Sequence, residues 1–349
     1  MKFIKKAIDT LPKCYSIAPM RREGKLQFLV AAEKHDPCRL YDEDGKCLET
    51  VWTEPGGVMT MAQIPGREDQ FLATHQFYSP NDSAQAKIVL ATRRGSADWA
   101  VRTLVDAPFV HRFGLLERNG TVYLLVCCLK SGHGYKDDWS KPGRVYAAVL
   151  PPDLTPYREE NQLPLTLLRE GMTHNHGYSA YLDHGIQTGL VTCDEGVFQF
   201  IPPEAPAGAW IVNQLHDQPV SDAVLLDFDG DGEPELGCIA PFHGDRLYIC
   251  HKNGAGVYEK VWEHPEPMEM LHASWPCRIQ GKPVWLVGHR KGARDLLMVF
   301  YENGAWKTEA IDHDCGSANV FHFVNSRGED ILVSANRETD EIAIYTIGQ

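Results

Sequence analysis

The sequence predicts an all-β protein, a seven-bladed β-propeller built from four-stranded antiparallel blades. Three observations lead to this prediction. A ten-residue window ending in glycine recurs seven times, apolar strand-like runs follow the windows in a regular order, and the first and last segments complement each other. A period of roughly 40–50 residues is typical of propeller blades. Residues 1–349 are therefore predicted to form a single β-propeller domain.

Each window combines a short, partly apolar stretch with a polar turn that closes on glycine. Glycine is favoured in tight hairpins because it adopts positive φ without steric cost. The windows mark the expected first strands of the blades and begin at Tyr15, Gly57, His111, His176, Ser221, His272 and Asn319.

The strand order within one unit predicts an antiparallel meander that closes into a ring. A second apolar run, a third strand and a more polar fourth strand follow most windows. The last unit stops at its third strand, residues 341–348, and residues 2–10 can supply the missing fourth strand. Such closure removes exposed sheet edges. The alternative, two β-sandwiches, does not explain a sevenfold turn pattern.

Composition excludes several classes of partner. The net charge of −13 argues against nucleic acid and anionic membranes, which need a positive surface. The sequence contains no run of 18 apolar residues and begins without the apolar core of a signal peptide. The ten cysteines include no CxxC pair, which favours reduced thiols and a cytoplasmic location. A monomer or a small homo-oligomer is expected.

An acidic loop follows the fifth window and predicts a metal site. Residues 227–235 read DFDGDGEPE, in which carboxylates alternate and two glycines permit a sharp turn. Oxygen ligands at this spacing suit Ca²⁺, or Mg²⁺ as an alternative. The expected ligands are Asp227, Asp229, Asp231 and Glu235, and the expected role of the ion is structural.

Many histidines fall on one predicted face of the ring. In a propeller, the loop entering the first strand and the loop leaving the second lie together around the channel mouth, and at least eight of the 15 histidines map there. Imidazole binds transition metals and also acts as an acid or base near neutral pH. The alternative is a ring of polar side chains that holds water. The expected ligands of a divalent transition metal (Mn, Zn, Co or Fe) are His176, His243, His272 and His289. His111 is expected to be catalytic and His75 to bind substrate.

A long loop of the third blade, residues 130–144, is predicted to open on the same face. It combines glycine hinges, aromatic rings and both signs of charge, and long loops on rigid scaffolds often carry function. Aromatic rings stack on sugars, so a small carbohydrate substrate is expected. His133, Tyr135 and Lys136 are candidates for acid–base catalysis, and Asp138, Trp139 and Arg144 for substrate binding. A solvated crossing loop is the simpler interpretation.

The seven windows, the acidic loop and the stretch KDDWSKPGR at 136–144 together resemble VCBS/FG-GAP-like propellers. In particular, the chain resembles the propeller of aldos-2-ulose dehydratase and related keto-sugar lyases. This resemblance implies a metal-dependent β-elimination on a keto-sugar or 3-keto-glycoside. A metal-dependent sugar hydrolase or isomerase, or a non-catalytic ligand-binding propeller, would use the same features.

Overall fold

The computed structural model of this chain describes residues 1–348. It contains seven four-stranded antiparallel sheets. Within each sheet the strands run in sequence order, except that the last sheet takes its fourth strand from the start of the chain. The predicted seven-bladed all-β propeller is therefore confirmed, and so is its closure by the N-terminal strand.

The strands are numbered β1 to β28 in chain order. Blade 1 contains β2 (Cys14–Arg22), β3 (Lys25–Ala32), β4 (Cys38–Asp42) and β5 (Cys47–Trp52). Blade 2 contains β6 (Met61–Gln63), β7 (Gln70–His75), β8 (Lys87–Gly95) and β9 (Asp98–Asp106). Blade 3 contains β10 (Val110–Arg118), β11 (Thr121–Lys130), β12 (Pro142–Leu150) and β13 (Thr166–Met172). Blade 4 contains β14 (Tyr178–Asp183), β15 (Ile186–Cys193), β16 (Gly196–Ile201) and β17 (Ile211–His216).

The remaining three blades follow the same plan. Blade 5 contains β18 (Asp222–Leu226), β19 (Glu235–Ala240), β20 (Arg246–Lys252) and β21 (Tyr258–Glu263). Blade 6 contains β22 (Leu271–Ile279), β23 (Lys282–His289), β24 (Leu296–Glu302) and β25 (Ala305–Asp312). Blade 7 contains β26 (Ser317–Val324), β27 (Asp330–Asn336), β28 (Glu341–Ile347) and, as its fourth strand, β1 (Phe3–Thr10).

The ring closes through both its innermost and its outermost strands. Each first strand contacts the first strand of the next blade, and β26 contacts β2. In blade 7, β1 pairs with β28 from Phe3 opposite Ile347 to Thr10 opposite Glu341. The strand near the start of the chain therefore covers a sheet edge that would otherwise be exposed.

The window glycines occupy the hairpin between the first two strands of every blade. All seven have positive φ, between 73° and 83°: Gly24, Gly66, Gly120, Gly185, Gly230, Gly281 and Gly328. This is the left-handed region in which a Cβ is unfavourable, which explains why glycine recurs at this position.

The hydrophobic core is divided into seven clusters, one between each pair of neighbouring blades. Phe71 of blade 2, for example, packs with Leu29 of blade 1, while Trp285 of blade 6 packs with Ile239 of blade 5. Second and third strands supply most of these residues, and fourth strands are largely exposed. No helix long and apolar enough to cross a membrane occurs among residues 1–348.

Candidate functional site

Three histidines from blades 4, 5 and 6 meet at one end of the central channel. His176 precedes β14, His243 lies in the loop between β19 and β20, and His272 is near the start of β22. One nitrogen of each ring lies within 4.8 Å of the other two, so the group could hold a metal ion. We call these residues the three-histidine group. It unites three of the four side chains expected to bind a transition metal.

The spacing of the ring nitrogens matches metal coordination. Nε2 of His176 lies 3.3 Å from Nε2 of His243. A tetrahedral ion with nitrogen ligands at about 2.0–2.1 Å places two of them about 3.3–3.4 Å apart. The residues present therefore fit a divalent transition metal without a large rearrangement.

Outer hydrogen bonds orient two of these rings. Nδ1 of His176 donates to Oδ2 of Asp222 at 2.9 Å, and Nδ1 of His272 donates to the carbonyl of Ala318 at 2.8 Å. Because Nδ1 donates in both cases, Nε2 is the nitrogen of each ring that is left to present a lone pair. Carboxylate and carbonyl acceptors of this kind are typical behind metal-binding histidines.

Burial keeps the neighbouring imidazoles neutral. It lowers the pKa of His111, His243 and His272 well below the usual value, and positive charge on nearby histidines and arginines acts in the same direction. Neutral imidazole is the form that binds metal ions and that accepts a proton. His111, His243 and His272 are therefore available for either role at neutral pH.

β-Bulges direct three side chains towards this centre. The register of the first two strands shifts between Cys14 and Ser16, between Val110 and Arg112, and between Leu271 and Ala273. The extra residues are Tyr15, His111 and His272, all at most 3% exposed. A bulge re-aims a side chain that regular pairing would place elsewhere, so one backbone device in three blades builds much of the site.

Tyr15 and His111 surround the three-histidine group. The Tyr15 hydroxyl lies 3.0 Å from Nε2 of His272, and burial raises the pKa of Tyr15, so the phenol stays protonated. The His111 ring lies 4.4 Å from the His176 ring, and its Nδ1 donates to the His176 carbonyl at 3.0 Å. The guanidinium of Arg112 lies 5.6 Å from the Tyr15 ring centre. A proton donor, a proton acceptor and a cation thus lie together.

A cavity of about 580 Å³ occupies the central channel and reaches this group. All seven blades contribute first-strand residues or residues just before them to its wall, which includes Arg112, Asp222 and His272. Cavities of roughly 300–1,000 Å³ are typical of small-molecule sites. The channel is therefore large enough for a small ligand next to the histidines.

His289 and His75, which were also predicted at this face, lie outside the three-histidine group. The backbone N–H of Asp295 donates to Nε2 of His289 at 3.0 Å, and Nδ1 of His289 contacts the Lys291 carbonyl at 2.9 Å, so both nitrogens serve the local loop. His75 packs edge-on against Trp52, with ring centres 4.7 Å apart. Burial lowers the pKa of His75 to about 4.

The third-blade loop reaches the site through a single side chain. Trp139 packs on His174 and Phe242, and Phe242 stacks on His243 with ring centres 4.0 Å apart. Asp138 instead holds the loop together by accepting the N–H groups of Gly134 and Ser140. Trp139 therefore forms part of the wall around His243.

The remaining loop residues do not contact the three-histidine group. Tyr135 is 70% exposed and Lys136 is also exposed. His133 packs edge-on against Phe109, and the Arg144 guanidinium lies 3.9 Å from the carboxylate of Glu170. Acid–base or substrate contacts by these four side chains remain predictions.

The acidic loop also forms a group that could hold a metal ion, but its members differ from those expected. Asp229, Asp231 and Glu235 are joined by His251 of β20, with ligand atoms within 4.8 Å of one another. The Asp227 carboxylate instead accepts the N–H groups of Gly230 and Gly232. Burial raises the pKa of Glu235 to about 7.

Sequence reasoning did not assign a site role to Tyr15, Arg112, Asp222, Phe242 or His251. Tyr15 stood at a window position equivalent to His111 and His272, and that equivalence was the available signal. Asp222 directly follows the fifth window position. His251 lies on a third strand, and the window register predicts site residues only at the start of first strands and the end of second strands.

Comparison with known proteins assigns no family to this chain. No family model matches the chain, and no curated protein matches it. Among solved structures, a crystal structure of a glucose dehydrogenase matches with a TM-score of 0.48 and 13% identity, covering 99% of each chain.

Proposed function

We propose that this protein is a metal-dependent enzyme acting on a small polyhydroxylated substrate at the end of the central channel. The observation that supports this most strongly is the 3.3 Å separation between Nε2 of His176 and Nε2 of His243, with His272 in the same group. The finer proposal is a carbon–oxygen lyase that performs β-elimination on a keto-sugar or 3-keto-glycoside.

The residues divide into ligands and proton carriers. His176, His243 and His272 would hold the ion, which when bound polarises a carbonyl oxygen and acidifies the neighbouring C–H. Three protein ligands would leave a coordination position open, as in catalytic zinc sites.

Two uncoordinated side chains can carry the protons of an elimination. His111 is neutral and holds its Nδ1 proton on a carbonyl, so its Nε2 can accept the C–H proton. Tyr15 remains protonated and can donate to the departing hydroxyl or aglycone oxygen. When His111 removes the C–H proton, the C=C bond forms and the C–O bond breaks. Tyr15 protonates the departing oxygen, so one proton is taken up and one is given back.

The channel supports a small oxygen-rich substrate. Arg112, Asp222 and the hydroxyl-bearing residues of neighbouring first strands line the cavity of about 580 Å³. Such groups donate and accept hydrogen bonds with hydroxyls, and the negative overall charge disfavours an anionic substrate.

The decisive experiment combines elemental analysis with a turnover assay. His176→Ala and His272→Ala should each lose the transition-metal ion of the three-histidine group, one ion per chain, together with the turnover of a 3-keto-glycoside. His184→Ala changes a histidine at an exposed hairpin tip and should keep both.

Product analysis separates the possible reactions. An unsaturated keto-sugar indicates a lyase, whereas a hydrolase yields the saturated sugar and an isomerase a product of unchanged mass. Metal bound in wild type without turnover of any keto-sugar would identify a ligand-binding propeller. Unchanged activity in both alanine variants would reject the proposed site.

A further inference from the structure

A second cluster of potential ligands lies at the opposite end of β18 from the three-histidine group. Asp229 and Asp231 come from the turn between β18 and β19, Glu235 opens β19, and His251 lies on β20. The cluster therefore combines a surface turn with the third strand of the same blade. We call it the blade 5 cluster.

A buried carboxylate oxygen without a hydrogen bond points into this cluster. Glu235 is 1% exposed, and its Oε2 accepts the N–H of Phe228 at 2.7 Å. Its Oε1 is buried and makes no hydrogen bond, although Nε2 of His251 lies 3.4 Å away. A buried carboxylate oxygen left unpaired is costly, and a bound cation would satisfy it.

His251 is oriented like a metal ligand. Its Nδ1 donates to the Lys252 carbonyl at 2.8 Å, which turns Nε2 towards the carboxylates, 3.1 Å from Oδ2 of Asp231. The same arrangement of a carbonyl behind Nδ1 occurs at His272 in the three-histidine group. Such outer hydrogen bonds fix the tautomer of ligating histidines.

The donor set does not fit the calcium ion that the acidic loop and the family resemblance imply. Ca²⁺ takes six to eight oxygen ligands, whereas this cluster offers three carboxylates and one imidazole nitrogen. Asp229 and Asp231 each accept one backbone N–H group, whereas the Asp227 carboxylate, which would begin an all-oxygen loop, accepts two and lies outside the group of converging ligand atoms. Imidazole combined with carboxylates is instead typical of Zn²⁺, Co²⁺ and Mn²⁺.

We propose that the blade 5 cluster binds a divalent transition metal, with Zn²⁺ as the reference ion, through Asp229, Asp231, Glu235 and His251. The ion ties the acidic turn to β20 and so fixes the outer part of blade 5. This site is independent of the reaction proposed for the channel, because it shares no ligand with the three-histidine group.

The test is calorimetric titration of chelator-stripped protein with Zn²⁺ and, separately, with Ca²⁺. His176→Ala serves as the background, so that the three-histidine group does not contribute a site. One Zn²⁺ should bind per chain, more tightly than Ca²⁺. Adding His251→Gln or Asp231→Asn should weaken Zn²⁺ binding by about tenfold or more, equivalent to about 1.4 kcal/mol.

A matched control is His264→Gln, which removes another histidine of blade 5 that lies outside the cluster and should leave Zn²⁺ affinity unchanged. If the background variant does not fold, Zn²⁺ stoichiometry is measured in the otherwise wild-type chain with and without His251→Gln, and the difference should be one ion. Tighter binding of Ca²⁺ than Zn²⁺, or Zn²⁺ affinity unaltered by both cluster variants, would overturn the proposal.

Discussion

Asp222 and Asp194 each hold the Nδ1 of a histidine, but only one of these histidines belongs to the three-histidine group. Asp222 accepts from His176 at 2.9 Å, and Asp194 contacts His174 at 2.7 Å. The two pairs lie near each other, in successive blades, and differ in whether the ring faces the proposed ion. Substitution of Asp222 can therefore be compared with substitution of Asp194 to test whether the carboxylate behind His176 supports metal binding.

Asp222→Asn should lower the transition-metal affinity of the three-histidine group about 10–100-fold, the usual effect of removing an outer-shell carboxylate. Asparagine keeps the shape and an acceptor oxygen but removes the negative charge behind His176. Competition with a chromophoric chelator measures the change. Asp194→Asn is the control and should leave the affinity within about threefold, and equal effects of the two substitutions would contradict the assignment of His176 as a ligand.

Acid should destabilise the protein through His75. Its pKa is about 4 in the folded protein because of burial, against 6.5 for the free side chain. Between these values the unfolded chain binds the extra proton, so folding stability rises with pH across this window and is lost as the pH falls through it. A shift of this size is worth about 3 kcal/mol.

His75→Leu should therefore reduce the slope of unfolding free energy against pH between about 4 and 6.5, to which the buried His111, His243 and His272 also contribute, as measured by urea denaturation at several pH values. Trp52→Phe is the control, since it alters the packing partner of His75 but removes no titrating group. That variant should shift stability by a similar amount at every pH. A His75→Leu profile parallel to wild type would show that this ring does not contribute.

At the scale of strands and loops, the repeated windows located the hairpins but not the bulges. Alignment on the terminal glycine placed Tyr15, His111 and His272 at equivalent positions. Whether such a position faces the channel or a blade interface depends on one extra residue in the pairing, which leaves no distinct mark in the residue types. The bulges in blades 1, 3 and 6 decide that question.

The positional rule for the histidines brings together three of the four expected metal ligands and does not bring in the fourth. His176, His243 and His272 meet as expected. His289 satisfied the same positional rule, but the loop after β23 folds back and uses both ring nitrogens. In the third-blade loop, only the ring of Trp139 reaches the wall of the site, because loop conformation depends on contacts such as those of Asp138 that residue types alone do not specify.

At the scale of the whole molecule, closure of the ring was predictable because it follows from counting strands. Six blades are complete within the sequence and the seventh lacks one strand, and β1, which is largely exposed and has no fully buried residue, suits a sheet edge. The position of His251 was not predictable in the same way, because only the folded blade brings β20 beside the acidic turn.

A circular permutant tests the contribution of β1. Residues 2–10 are removed from the start and appended after Gly348 through a short turn, which the pairing of Phe3 with Ile347 permits. This chain should fold and bind metal as the wild type does. Simple deletion of residues 1–10 should remove a large fraction of the roughly 5–15 kcal/mol that stabilises a typical domain.

Thermal unfolding with light scattering distinguishes the two chains. The deletion variant exposes the edge of β28 and should aggregate, whereas the permutant should unfold without early scattering. Equal stability of the deletion variant and the wild type would mean that β1 does not close the ring.

The pairing of β1 with β28 also has a consequence for biosynthesis. Residues 3–10 leave the ribosome more than 300 residues before residues 341–347, their only sheet partners in the described structure. At translation rates of about 5–20 residues per second, that interval lasts roughly 15–70 s. During this interval residues 3–10 of the nascent chain have no strand to pair with. A chaperone that binds unpaired β-strands would therefore act mainly in this period.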